Sequence, residues 1–192
     1  MMEVKTIAIV GASDLGRRVA YLSALAGFRT ILEDVSPLAL EQGIDSITQH
    51  LDAEASTGKI AAAQRSAALA NLTAANSAED ASREADLLIE TVSDEIEMKI
   101  ELFTIFDKFA KPGAILASTA TKLPISELAA VTFCPEKCIG MRFHPGEGVQ
   151  RLNRLKLVKT KDTSQDTIAE CSNAARRMGL DVSVEDEEKT QV

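Results

Sequence analysis

Short apolar runs alternate along this chain with longer stretches in which apolar residues recur every three or four positions. The first run, 6–10, is rich in β-branched residues and predicts a buried strand. In the next stretch Leu15, Val19 and Leu22 lie on one helical face, and Gly27 follows as a helix cap. Strands that alternate with helices in this way are typical of an α/β fold, a doubly wound and mainly parallel sheet with helices on both faces.

The same reasoning predicts the remaining elements. Ser36 and Pro37 are expected to start a helix that runs toward residue 57. The run 155–158 alternates like a half-exposed antiparallel strand, and the charged residues 185–192 are expected to form a polar tail after a single domain, 1–184. The other predicted strands are 30–32, 72–73, 86–90, 114–117, 138–141 and 180–184, and the other predicted helices are 60–70, 93–106, 125–130 and 168–178.

Composition narrows the class of protein. Of the 192 residues 45% are hydrophobic, enough for a core, and a formal net charge of −8 argues against a nucleic-acid partner. Charges interrupt every apolar run before the roughly 18 residues of a membrane helix, and the chain start lacks the pattern of a secretory leader. We therefore expect a cytoplasmic protein with no membrane partner. Cys134, Cys138 and Cys171 are too few for a disulfide framework and are expected to be reduced thiols without a metal.

The turn between the first strand and the first helix predicts a nucleotide site. Gly11 and Gly16 flank it, and backbone N–H groups at the start of a helix favour a dinucleotide pyrophosphate. Turns of this type also have a middle glycine, and this chain has Ser13 in its place. The Cβ of Ser13 would push the cofactor outward, or its hydroxyl would hydrogen-bond a phosphate oxygen. An ordinary tight turn is the alternative. The predicted cofactor-binding residues here are Gly11, Ala12, Ser13, Asp14, Leu15 and Gly16.

Asp34 ends the second predicted strand about twenty residues after this turn. A carboxylate in this place accepts hydrogen bonds from a ribose 2′-hydroxyl and repels the 2′-phosphate of NADP, and Glu33 is expected to add to that repulsion. A solvated acidic loop is the alternative interpretation. Together with the glycine turn, Asp34 predicts NAD(H) as the cofactor.

Several blocks of the sequence point to one known family. They include Ile7-Ala8-Ile9-Val10-Gly11, Ala24-Leu25-Ala26-Gly27, Asp34-Val35-Ser36, Leu88-Ile89-Glu90-Thr91-Val92, Ser126-Glu127-Leu128-Ala129 and Ile139-Gly140-Met141. In these blocks the chain resembles the NAD-binding domain of the 3-hydroxyacyl-CoA dehydrogenase family, over nearly all of its length. The resemblance implies a Rossmann-type sheet with antiparallel strands at its C-terminal end and a protruding helix pair, about 36–70, that helps to hold coenzyme A. It also implies that Glu90 and Lys99 lie beside NAD and that Ser118 and Thr119 lie near its nicotinamide.

The positions that carry chemistry in this family differ in this chain. The resemblance implies that Thr121 replaces a serine that contacts the substrate oxygen, and that Arg142 replaces the histidine that accepts the hydroxyl proton. An arginine stays protonated and cannot be that base. The glutamate that orients the histidine corresponds to Arg154, or to Lys159 if three residues are inserted before it. His144 lies two residues after Arg142, on the same face of a strand, and is either a relocated base or an ordinary loop histidine.

Two functions are compatible with these substitutions. One is an NAD-dependent oxidoreductase of fatty acid metabolism that acts on an acyl-CoA and is weak or inactive alone; the other is a catalytically degenerate NAD-binding regulatory or interaction module. By the same resemblance, the family's all-helical second domain would begin where this chain stops, so a homo-oligomer or a partner chain is expected. Glu147 is the one carboxylate near His144 in the sequence. The late basic run, with Arg142, Arg151, Arg154, Lys156, Lys159 and Lys161, is either a solvated edge or a site for an anion such as the coenzyme A phosphates.

Overall fold

A computed structural model of the chain describes residues 3–145 and 152–187. The strands in these ranges are β1 (Thr6–Val10), β2 (Arg29–Glu33), β3 (Leu72–Ala74), β4 (Leu87–Glu90), β5 (Ile115–Ser118), β6 (Cys138–Pro145), β7 (Leu152–Lys159) and β8 (Asp181–Asp186). The helices are α1 (Asp14–Leu25), α2 (Pro37–Ser56), α3 (Ala62–Asn71), α4 (Ala78–Glu84), α5 (Ile96–Phe109), α6 (Ile125–Ala129) and α7 (Gln165–Arg177).

All of these strands belong to one sheet, in the order β3-β2-β1-β4-β5-β6-β7-β8. Neighbours are parallel except β6 and β7, which pair antiparallel. As a result β7 and β8 run opposite to the other strands. The predicted α/β class, with antiparallel strands at the C-terminal end, is confirmed.

Both faces of the sheet are buried because successive side chains of a strand point to opposite sides. In β1, Ile7 and Ile9 belong to a core that includes residues of α1, α2 and α7. Ala8 and Val10 belong to a second core, to which Phe103 of α5 and residues of α4 and α6 contribute. This arrangement explains why the buried strands are almost continuously apolar.

The predicted helix pair consists of α2 and α3, which rest on α1. Three residues of α2 are buried, Gly43, Ile47 and Leu51, and the rest of this helix is exposed or partly exposed. A Cβ on Gly43 would lie 3.1 Å from Ala12 Cβ, so a larger residue would crowd the place where α2 crosses the turn after β1. The hydroxyl of Tyr21 in α1 donates a hydrogen bond to Glu54 of α2 and ties the two helices together.

Two parts of the fold differ from the sequence prediction. Helix α4 is missing from the prediction because its seven residues carry too short and too polar a pattern, with Ala78, Ala81 and Ser82 as its buried positions. Strand β8 continues through Asp186, so the polar tail predicted from Glu185 begins too early. Both acidic residues pair with lysines of β7, which stabilises the longer strand. Residues 188–192 of that tail lie outside the described residues.

No helix within the described ranges is long and apolar enough to cross a membrane. The three cysteines are free. Burial raises the pKa of Cys171 to about 12 and that of Cys138 to about 11, so these thiols stay protonated at neutral pH.

Candidate functional site

The predicted site residues gather where strands end at the carboxyl edge of the sheet. β1 ends before Gly11, β2 before Asp34, β4 at Glu90 and β5 at Ser118. β4 is the other neighbour of β1 although β2 follows β1 in the chain, and this change of direction opens a crevice at the strand ends. Ligands of doubly wound sheets bind in this crevice.

Two glycines allow the turn after β1 to pack closely. Gly11 has a φ of +109°, and its N–H donates to the carbonyl oxygen of Glu33 at 2.8 Å. A Cβ on Gly16 would lie 2.0 Å from the Gly11 carbonyl oxygen and 2.6 Å from Thr91 Oγ1. The first turn of α1 therefore lies directly against β1 and the residue after β4, an approach that only glycine permits.

Ser13 caps the start of α1. Its Oγ accepts from the Gly16 N–H at 3.1 Å and donates to the Thr91 carbonyl oxygen at 3.0 Å. The Ser13 hydroxyl thus donates its hydrogen bond inside the protein. It can donate to a phosphate oxygen only if its hydrogen bond to the Thr91 carbonyl breaks. The N–H groups of Ser13, Asp14 and Leu15 have no hydrogen-bond partner among the residues that the structure describes. Three donors at a helix N-terminus therefore remain for an anionic group, which fits a pyrophosphate.

Asp34 is fixed beside this turn by backbone donors. Its Oδ2 accepts from the Ala12 N–H at 2.7 Å, and its Oδ1 accepts from the Ser36 N–H at 2.8 Å. The side chain is only partly buried, and each oxygen keeps a lone pair for a further donor. This geometry fits a ribose hydroxyl pair, as the sequence predicts.

Glu33 differs from its neighbour because its side chain points the other way along the alternating strand. It is 5% exposed, and burial together with the nearby carboxylates of Asp34 and Glu79 raises its pKa from 4.5 to about 7. A group that is half neutral at pH 7 and buried repels a phosphate less than the sequence suggests. The negative charge at this strand end therefore belongs mainly to Asp34.

A buried network joins β4, β5 and α5. Lys99 Nζ donates to both carboxylate oxygens of Glu90 at 2.8 Å and to the Val92 carbonyl oxygen at 3.2 Å, and both charged side chains are fully buried. The Ser118 hydroxyl donates to Glu90 and accepts from the Ala120 N–H at 3.0 Å. Three of the four residues that the resemblance assigns to the cofactor, Glu90, Lys99 and Ser118, are thus hydrogen-bonded to one another. That they lie beside a bound nucleotide stays a prediction.

Asp94 connects this network to the segment after β5, and the sequence reasoning missed it. Its Oδ2 accepts from the N–H and the hydroxyl of Thr121 at 3.2 and 2.8 Å, and its Oδ1 lies 3.5 Å from Lys99 Nζ. Burial raises the pKa of Asp94, but the hydrogen bonds from Thr121 and the charge of Lys99 outweigh burial and keep the pKa below 3.8. The signal in the sequence is an acid between Glu90 and Lys99, just before a helix.

Thr91 is the second residue that the sequence reasoning missed. Its Oγ1 donates to the Gly11 carbonyl oxygen at 2.7 Å, and its backbone N–H donates to the Val10 carbonyl oxygen at 2.8 Å. With the bond from Ser13, these contacts join the turn after β1 to the end of β4. The sequence signals that mark this residue are its place directly after Glu90 and its membership of the block Leu88-Ile89-Glu90-Thr91-Val92, which carries the family resemblance.

Arg142 lies on β6 beside the segment that follows β5. Its Nε donates to the Ala120 carbonyl oxygen at 3.2 Å, and its Nη1 lies 3.8 Å from Glu185 Oε1. Gly140, two residues earlier on the same face, lets α6 pack closely on β6, because a Cβ there would lie 2.9 Å from Val158 Cβ and 3.0 Å from Ile125 Cγ1 of α6. The position at which the resemblance implies a histidine base thus holds a guanidinium next to the loop that carries Thr119 and Thr121.

The other predicted residues of β6 and β7 separate into two faces. His144 is exposed and lies opposite Arg154 in the antiparallel register of β6 and β7. Both side chains are on the same face as Arg142. Lys159 is an odd number of residues from Arg154, so its side chain lies on the other face of β7, away from the site. It forms an ion pair with Asp186. Glu147 and Arg151 lie outside the described residues.

Comparison with known proteins gives consistent results. The family described as 3-hydroxyacyl-CoA dehydrogenase, NAD binding domain, matches residues 6–187. A probable 3-hydroxybutyryl-CoA dehydrogenase of Bacillus subtilis (strain 168) is 33% identical over 178 residues, which make up 93% of this chain and 61% of that protein. The crystal structure of (S)-3-hydroxybutyryl-CoA dehydrogenase from Ralstonia eutropha has a TM-score of 0.89 and 25% identity, covering 97% of this chain and 65% of the other.

The match covers almost the whole chain, although the chain spans only about three fifths of the length of the Bacillus protein. Because the matched family is that of an NAD-binding domain, NAD is the cofactor, as Gly11 and Asp34 predict. The chain belongs to the family of the NAD-binding domain of 3-hydroxyacyl-CoA dehydrogenases.

Proposed function

We propose that this chain provides the NAD(H)-binding half of a dehydrogenase that moves hydride between C3 of a 3-hydroxyacyl-CoA and NAD. The observation that carries the proposal is the crevice between β1 and β4, where the carboxylate of Asp34 lies beside three helix N–H groups that no described residue pairs with. When bound, NAD+ accepts the hydride at its nicotinamide ring. The relatives whose names describe a reaction on 3-hydroxybutyryl-CoA support the class of substrate.

The residues of this chain would share the work of binding. The N–H groups of residues 13–15 would hold the pyrophosphate, and Asp34 would accept from the ribose hydroxyls. Thr119 follows β5 and is 8% exposed at the edge of the crevice, so it would line the nicotinamide end. Ser118 and Lys99 are fully buried and would act by positioning this loop.

Proton transfer needs a group other than Arg142, which holds its proton at neutral pH. His144 lies on the same face of β6, two residues further along, and is the one histidine that the sequence places near the site. We therefore assign it the role of proton acceptor when the hydroxyl is oxidised. Thr121 would contact the substrate oxygen after its hydroxyl leaves Asp94.

The alternative of a regulatory or interaction module receives no support from the relatives, which are described as dehydrogenases. Those relatives are longer, so a second subunit or a further helical domain is part of the proposal and completes the acyl-CoA site. A second copy of this chain or a partner chain would contribute residues to that site.

Cofactor binding tests the proposal first. Calorimetric titration should give tighter binding of NADH than of NADPH, and Asp34→Ala should weaken NADH binding by about tenfold, since charged hydrogen bonds contribute roughly 1.5–3 kcal/mol. Asp45→Ala removes the same charge from an exposed position of α2 and should leave the affinity unchanged. Equal affinity for the two nucleotides, or no effect of Asp34→Ala, would overturn the assignment of Asp34.

Turnover is the second arm of this test. The purified chain is mixed with acetoacetyl-CoA and NADH, and the absorbance of NADH is followed. Oxidation of NADH that disappears in His144→Ala, with NADH binding retained, supports the proton role. If His144→Ala turns over at the wild-type rate, His144 is not the base.

A further inference from the structure

Arg17 is the fourth residue of α1, and its side chain reaches back to the cap of that helix. Its backbone N–H donates to the Ser13 carbonyl oxygen at 2.9 Å, and its Nε makes a longer hydrogen bond to the same oxygen, at 3.4 Å. Side chains of a helix lean toward its N-terminus, which explains this direction. The Arg17 guanidinium therefore lies at the same end of α1 as the three N–H groups of residues 13–15.

The stem of Arg17 is on the side of α1 that faces α2 and the end of β2. A Cβ on Gly43 of α2 would lie 3.6 Å from Arg17 Cγ. The same Cβ would lie 3.1 Å from Leu32 of β2 and 3.1 Å from Ala12, whose N–H donates to Asp34 Oδ2 at 2.7 Å. Arg17 is thus on the side of the turn at which Asp34 would hold the adenosine ribose, away from the nicotinamide end at β5.

Arg17 carries a charge that the protein itself does not neutralise. It forms no ion pair with any residue that the structure describes, because the acid of the same turn, Asp14, lies 3.5 Å from Arg18 instead. A cation at a helix N-terminus is also unfavourable, since the helix dipole already places positive charge there. Local costs of this kind are typical of functional sites. The ligand that would remove this cost is an anion.

From this placement we infer that Arg17 binds the diphosphate of NAD(H) on its adenosine side. The inference deepens the proposed function and rests on it, since the N–H groups of residues 13–15 would bind the same diphosphate. Arg17 Nε gives up its long hydrogen bond to the Ser13 carbonyl, and the planar guanidinium then has donors for two phosphate oxygens. The charge of Arg17 compensates for Ser13, whose hydroxyl donates to Thr91 and not to the cofactor.

Calorimetric titration with NADH, ADP and adenosine tests this contact. Arg17→Gln should weaken the binding of NADH and of ADP, which both contain the diphosphate, by about tenfold, the loss expected for a charge-assisted hydrogen bond. Adenosine has no phosphate and should bind equally to wild type and variant. Arg17→Lys keeps the charge but not the planar set of donors and should lose less affinity than Arg17→Gln.

Arg18→Gln is the matched control. Arg18 is the next residue of α1 and carries the same charge, but it pairs with Asp14, so its loss should leave NADH affinity unchanged. Urea denaturation shows whether the variants fold. Because Arg17 forms no ion pair with a described residue, Arg17→Gln should unfold at the same urea concentration as wild type, which separates a binding role from a structural one.

Four results would overturn the inference. If NADH binds equally to wild type and Arg17→Gln while Asp34→Ala weakens it, Arg17 is no contact and the proposed cofactor site stands. If Arg17→Gln and Arg18→Gln weaken NADH equally, the effect is one of general charge. If Arg17→Gln weakens NADPH or free coenzyme A but not NADH, the arginine serves a different phosphate. A wild-type chain that binds no NADH overturns the proposed function as well.

Discussion

The two halves of the carboxyl edge hold their polar side chains in different ways. At the β1, β2 and β4 ends, Ser13, Asp34 and Glu90 each make hydrogen bonds inside the protein at 2.7–3.1 Å or are fully buried. On β6, Arg142 and His144 are partly or fully exposed, and the one ion pair that Arg142 forms within the described ranges is 3.8 Å long. The polar side chains of the first half are therefore already held in place without a ligand, whereas those of the second half leave charged groups open to a ligand.

This difference separates the expected effects of substitutions. In the first half the same contacts that shape the cofactor crevice also stabilise the fold, so changes there lower both stability and affinity. In the second half a change of an exposed charge alters binding and leaves the free energy of unfolding within about 0.5 kcal/mol. The predictions below test this division, from the largest expected loss of stability to the smallest.

Lys99→Met should have the largest effect. It leaves the Glu90 carboxylate fully buried without its cation, and breaking a buried pair in this way costs about 3–5 kcal/mol. Urea denaturation measures the loss. Lys108→Met changes an exposed lysine on the same helix and should cost little.

The double variant Glu90→Gln/Lys99→Met checks the cause. It removes both charges and should recover much of the lost stability, because the buried carboxylate is gone. Equal losses in the single and double variants would mean that packing of the Lys99 chain, and not the charge of Glu90, determines the cost.

Gly16→Ala should come next. Its Cβ would lie 2.0 Å from the backbone oxygen of Gly11, so the turn must move, at a cost of about 1–3 kcal/mol. The same movement displaces the N–H groups of residues 13–15, and NADH affinity should fall by more than tenfold in calorimetric titration.

Gly58→Ala separates a loss of stability from a loss of NADH affinity. Gly58 has a φ of +73° and open space around it, so alanine there is strained but touches nothing. It should lower stability and leave NADH binding unchanged. Wild-type NADH affinity in Gly16→Ala would show that the turn does not need its close packing.

The sequence predicts the first half of the edge better than the second for a physical reason. Gly11, Gly16 and Asp34 follow from local rules, since the turn geometry and the end of a strand set their roles. Asp94 and Thr91 escape such rules because their contacts, to Thr121 and Gly11, join segments that are 27 and 80 residues apart. The neighbourhood of Arg142 also depends on strand register, since Glu185 reaches it only because β8 continues past residue 184.

Glu33 sharpens the comparison, because among the described carboxylates of the first half it is the one that is buried without an ion pair. In the folded chain its pKa is about 7, against 4.5 ordinarily, so between these values the native state binds more protons than the unfolded state. The contribution of Glu33 to the free energy of unfolding is therefore fully present below about pH 4.5, and it is lost as the pH rises through 7. Glu33→Gln removes the charge and should abolish this loss.

The measurement is the free energy of unfolding in urea at about pH 5 and at about pH 8. Glu33→Gln should gain about 1–2 kcal/mol over wild type at the higher pH and much less at the lower one. Glu97→Gln removes an exposed carboxylate of α5 and should follow the wild-type pH dependence. If Glu33→Gln also follows it, then Glu33 is ionised in the folded state without cost, and its charge does contribute to the repulsion of NADP beside Asp34.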